Sequence, residues 1–250
     1  MEFQVYKYIL ILIRITAFIV ICPAISFKGL PNTFKVGLSS VLSLFVYFAL
    51  PEIEVIDNLV VLGMLSMREA FFGLAMGYVT NLIFAAMEIA GQLVDFQSGF
   101  SMAQTFDPNI GINAAHYGRF YYWIGICVFF LLDMHHKVIS TLIRSFEYVP
   151  LGEITFQGLT VEAILGIFSR IFELAVNLAA PIIIVVLVID VVLGVISRTI
   201  PQINVLMLGM PIKAAASFLA VLMSLSWLLN KMGSIIGLIP EYLVGMMNLF

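Results

Sequence analysis

The sequence predicts an all-α integral membrane protein, and three features lead there: an apolar composition, apolar runs of bilayer length and a shortage of charge. Of the 250 residues, 62 % are hydrophobic and 11 % are charged. Soluble domains carry roughly a quarter charged residues, because a core of this size needs a charged skin to face water. The 12 Lys/Arg and 15 Asp/Glu present are too few to make one. The apolar runs are also continuous where a half-buried strand would alternate. Backbone in lipid must satisfy its own hydrogen bonds, so helix is the default.

Taken in order, the apolar runs are Tyr8 to Ile25, Val36 to Leu50, Leu59 to Met87, Phe120 to Leu132, Ile171 to Ile196 and Val205 to Leu229. A hydrocarbon core about 30 Å thick takes roughly 20 helical residues. Three or four runs reach that length alone. Val36 to Leu50 and Phe120 to Leu132 are short, so they extend into semi-polar turns, pair as a broken hairpin or sit partly outside the bilayer. Breaks fall at Pro23 to Pro31, Pro51 to Asn58, Gln97 to Gly118, Tyr148 to Gly158 and Ser197 to Pro211. No long linker interrupts the chain, which reads as one membrane domain over 1–250. The first run reads as retained, because no small-residue cleavage site follows it. Lys28 and Lys35 place the first loop in the cytoplasm, and Glu52, Glu54 and Asp57 place the next outside. Arg198 and Lys213 bracket the last turn and put it inside.

Several function classes fall away. The net charge of −3 comes without any basic run to follow a phosphate backbone, so nucleic acid is not an expected partner. Cys22 and Cys127 lie in apolar surroundings and read as small hydrophobes, without a disulfide or metal framework. No HExxH, GxSxG or phosphate-cradling glycine loop occurs, so the chain is not expected to be an enzyme or to hold a cofactor. Asp133, His135 and His136 superficially suggest a metal site. Adjacent histidines point to different sides of a helix, however, and snorkelling at the membrane interface is the preferred reading.

Charges in or beside apolar runs are the first functional candidates: Arg14, Arg68, Glu69, Glu88, Asp95, Glu173 and Asp190. An ionised group there costs at least about 2.5 kcal/mol unless paired or hydrated. They form a polar path or a proton relay, or they are interhelical ion pairs in an assembly, with Arg68 and Glu69 satisfying partner subunits. Gly73 and Gly77 make a GxxxG step that Ala86, Ala90 and Gly91 continue, a row of small residues that lets helices approach closely. The row packs on the same chain or on another subunit. Gly91 to Asn113 is too polar to span lipid and too apolar for a solvated loop. Asp107-Pro108 ends any helix there, and non-helical backbone at membrane depth must be sheltered. The segment is therefore expected to project into a pore or a subunit interface, with Met and Phe as a compressible constriction, or else to lie as an interfacial loop.

These residues carry a family resemblance. Gly73 to Pro108 resembles the signature region of the FliR family of flagellar export-gate proteins and their injectisome relatives: a glycine-spaced helix, AGxxxxxQxGxS and a closing Asp-Pro. The elements are met by Ala90, Gly91, Gln97, Gly99, Ser101, Asp107 and Pro108. Pro181 to Leu225 resembles the hairpin of the small gate subunit FliQ, with Gln202, Ile203 and Lys213 near its tip. The resemblance implies a FliP-like helical half over 1–170, with an inward plug loop at about 97–113, then a FliQ-like hairpin and tail over 171–250. It implies one subunit of a FliP, FliQ and FliR gate in the inner membrane at the flagellar basal body, passing unfolded flagellar proteins during type III secretion. FlhA-like and FlhB-like export components join the implied partners. Gly99 through Pro108 correspond to the family's plug. Members often carry aromatics where this chain has Met102 and Thr105, which leaves Phe100, Met102 and Phe106 as the constriction candidates. Arg68, Glu69, Glu88, Asp95, Asp190, Gln202 and Lys213 are the candidate interface or intramembrane polar groups. A competing reading is a small secondary transporter that uses Glu88, Asp95 and Asp190 as coupling groups.

Overall fold

The computed structural model describes residues 4–26, 29–51, 58–100, 116–155, 158, 160–200 and 205–250. Among the described residues there are eight helices and no strand: α1 Val5–Ile21, α2 Asn32–Ala49, α3 Leu59–Ser98, α4 His116–Leu131, α5 Met134–Tyr148, α6 Val161–Thr199, α7 Val205–Gly237 and α8 Ile239–Met247. Four stretches are long and apolar enough to cross a membrane: α2, α3, α6 and Leu208–Met247. A fifth is added if α4 and α5 act as one broken span. The short run Val36 to Leu50 reaches 18 helical residues by starting at Asn32, whereas α1 stops at 17. At 1.5 Å per residue, the 40 residues of α3 and the 39 of α6 make helices of about 60 Å, twice the hydrocarbon thickness.

The chain forms two compact units. The first comprises Met1–Ile83, Asp133–Gly166 and Gly237–Phe250. Within it, Leu10, Ile11, Arg14, Ile15, Phe18 and Ile19 recur at helical spacing and bury one face of α1. Lys7 lies under cover by donating to the carbonyls of Tyr47 and Leu50, each at 2.9 Å, which ties α1 to the end of α2. Gly73 and Gly77 meet α1 of the same chain. A Cβ at Gly73 would collide with the Arg14 carbonyl oxygen, and one at Gly77 would stand 2.9 Å from that of Phe18.

The second unit comprises Phe84–Leu132 and Ile167–Ile236. Phe84 stacks edge-on against Phe129 at 5.7 Å, and Gly125 leaves room for the Met87 sulfur. On α6 a narrow stripe from Ile171 through Leu178 to Val186 is buried. Elsewhere Phe172, Val188 and Val191 stand exposed, and only 17 % of its most apolar window is covered by the chain itself. Pro181 and Pro211 lie inside α6 and α7. α7 thus starts at Val205, inside the break that the sequence places at Ser197 to Pro211.

Candidate functional site at the end of helix α3

The segment Gly91 to Asn113, read from sequence as a projecting loop, is helical as far as Ser98. Its polar residues do not break the helix because each finds a partner. Gln92 lies 3.4 Å from Glu88 one turn back, and Ser98 donates to the Asp95 carbonyl. The helix ends at Gly99, whose φ of 88° falls in the left-handed region where glycine carries no Cβ penalty. Phe100 then folds back, its amide donating to the Asp95 carbonyl at 3.1 Å.

Asp95 is the centre of the arrangement. Its buried carboxylate accepts the Tyr117 amide at 3.1 Å and the Gly118 amide at 3.0 Å. Those amides belong to the first turn of α4, where helix geometry leaves donors without partners and the macrodipole favours negative charge. Gly91 permits the approach, since a Cβ there would strike the Tyr117 carbonyl. Phe100 lies edge-on to His116 at 5.5 Å and Tyr117 at 5.8 Å. The Tyr117 hydroxyl meets the Ser217 hydroxyl at 3.0 Å. The residues on either side of positions 101–115 are thus drawn together by one carboxylate and one aromatic cluster.

A second polar group sits two residues along. Gln97 donates to Asp190 at 3.1 Å, and Asp190 is paired with Lys213. This links the last turn of α3 to α6 and α7. Sequence spacing offered Gln97, Asp190 and Lys213 separately and gave no sign that they meet.

The remaining candidates scatter. Arg68 is exposed, while its neighbour Glu69 is buried and pairs with Arg14 of the same chain at 2.5 Å. Arg14 also donates to the carbonyls of Ser145 and Val149, and Glu69 accepts the Gly152 amide. Glu69 therefore has an internal counter-ion in place of the expected partner subunit. Glu173 forms an exposed pair with Arg170. Met102, Thr105, Phe106, Asp107, Pro108 and Gln202 lie outside the described residues, as do Lys28, Glu52, Glu54 and Asp57. The expected divergence of His135 and His136 is overturned: their ring centroids are 4.1 Å apart, with the Asp133 carboxylate nearby.

A helical chain with several helices long and apolar enough to cross a membrane, and with much of that apolar surface left exposed, belongs to the class of polytopic helical membrane proteins. More narrowly, the chain belongs to the bacterial export proteins, family 1, whose pattern it matches over residues 5–239. It is 29 % identical over 226 residues to the flagellar biosynthetic protein FliR of Bacillus subtilis, covering 88 % of this chain and 86 % of that protein. The FliR of Aquifex aeolicus is 30 % identical over 214 residues, covering 85 % and 82 %. The Yop proteins translocation protein T of Yersinia pestis is 34 % identical over 223 residues, covering 86 % and 84 %.

Proposed function

We propose that this chain is a non-enzymatic subunit of a flagellar type III export gate, a pore through which unfolded flagellar proteins cross the inner membrane. The match to an export-protein family across residues 5–239 carries the reading. In this proposal the first 170 residues act as a FliP-like half and 171–250 as a FliQ-like hairpin. FliP-like and FliQ-like subunits cover the exposed length of α6, and FlhA-like and FlhB-like components dock on the assembled gate. Apolar helix surface on this scale requires lipid or another subunit beside it. In this reading residues 99–108 form the plug, and Asp95 and the Gln97–Asp190 bond fix the end of α3 from which it starts.

A lone secondary transporter would need its acids along one shared path. Glu88, Asp95 and Asp190 instead sit with separate partners: Gln92, the first turn of α4 and Lys213. Mass measurement of the gently extracted complex tests the choice. A gate subunit emerges with two different hydrophobic proteins, whereas a single chain or a homo-oligomer would overturn the proposal.

A further inference from the structure

Asp133 immediately precedes α5 and His135 and His136 lie in its first turn, and none of the three is among the residues assigned to the export path. Asp133 adopts a left-handed backbone conformation, φ 52°, that turns the chain immediately ahead of the helix. The two histidines occupy the second and third positions of α5. Successive residues on a helix diverge by about 100°, yet these rings converge to 4.1 Å between centroids with their planes tilted by 49°. One nitrogen from each ring and one Asp133 oxygen all lie within 4.8 Å of one another.

Metal–nitrogen and metal–oxygen bonds of about 2.0–2.2 Å put donors that share an ion roughly 3–4 Å apart. The set must therefore contract by about an ångström, which staggered side-chain rotations supply. Asp133 and His136 are exposed and His135 is half-buried, so an ion can enter from the solvent side. Two imidazoles with one carboxylate are the donor set of first-row transition metals. Magnesium and calcium prefer all-oxygen shells.

We infer that Asp133, His135 and His136 form a binding site for a divalent first-row transition metal, zinc first among them. The other coordination positions remain open to water. A bound ion ties the turn at Asp133 to the first turn of α5 and stiffens the junction. This inference is independent of the export reading.

The test uses the full-length chain, extracted in detergent with whatever subunits accompany it and carrying no polyhistidine tag. Zinc is titrated and bound metal counted. The native chain should take up about one zinc, and zinc should raise its unfolding midpoint by mass action. His135→Gln, His136→Gln and Asp133→Asn should each weaken binding by about tenfold or more and abolish the thermal shift. His116→Gln, remote in sequence, should do neither. Because all three ligands are exposed or half-exposed, metal-free melting of the variants should match the native chain, which separates lost binding from lost fold. Native chain binding zinc no more tightly than the doubly substituted H135Q/H136Q chain would overturn the inference.

Discussion

A buried guanidinium is costly unless its donors are taken up, and Arg14 meets that condition at Nε and Nη1, with two aromatic rings beside the group, while Nη2 has no hydrogen-bond partner. Nε reaches Glu69, Nη1 reaches the Ser145 and Val149 carbonyls, and the Phe72 and Phe146 rings lie within 4.8 Å and 4.2 Å. Truncating one member of a buried pair strands the other charge, at about 3–5 kcal/mol, whereas replacing both with apolar groups is far less costly. Arg14→Met should therefore lower the thermal midpoint in detergent sharply, and the double variant R14M/E69M should recover much of the loss. Equal melting of native chain and Arg14→Met would refute the argument. Sequence alone exposed both residues as charges in apolar runs. It could not join them, because 55 residues separate the partners and no local periodicity spans that distance. The same limit hid the pairing of Asp190 with Lys213.

At the scale of elements, α3 shows where composition misleads. The sequence reading ends its apolar run at Met87, yet the helix continues to Ser98. Polarity argues against contact with lipid, not against helix, and Gln92, Asp95 and Gln97 each have a hydrogen-bond partner in the fold. The real stop is Gly99, in the left-handed conformation. Pro211 misleads in the opposite way: it lies inside α7, past the first turn, where it forfeits one helical hydrogen bond, yet the helix runs through it. Glycines on α3 differ as sharply. Gly63 has open space around it, while Gly73 lies on the Arg14 carbonyl. Gly63→Ala should stabilise by about 0.5–1 kcal/mol through helix propensity. Gly73→Ala should destabilise by about 1–3 kcal/mol through overpacking. Thermal unfolding of the two single variants should move in opposite directions, and a shared sign would contradict the close approach of α1 and α3.

For the molecule as a whole, the helical membrane class was legible because it follows from bulk quantities: too little charge, and apolar runs of the necessary length. The family was legible from a compact signature around Gly91, Gln97 and Gly99. Which surfaces need other subunits was not, since apolar residues that face lipid, protein or another copy look alike in sequence. If residues 99–106 seal a passage, deleting them should raise ion conductance of the reconstituted assembly while its subunit composition stays unchanged. Conductance equal to that of the intact gate would remove the plug assignment. The Arg14–Glu69 pair also bears on how the protein is made. Synthesis delivers α1 long before α3, so for 55 residues of elongation the arginine is without its folded-state partner Glu69. An unmatched arginine at the middle of a hydrocarbon slab costs about 2.5–3.5 kcal/mol on translocon scales. If the first helix enters the hydrocarbon at all, its arginine is matched only once the third arrives, so the two should insert together as a neutral couple.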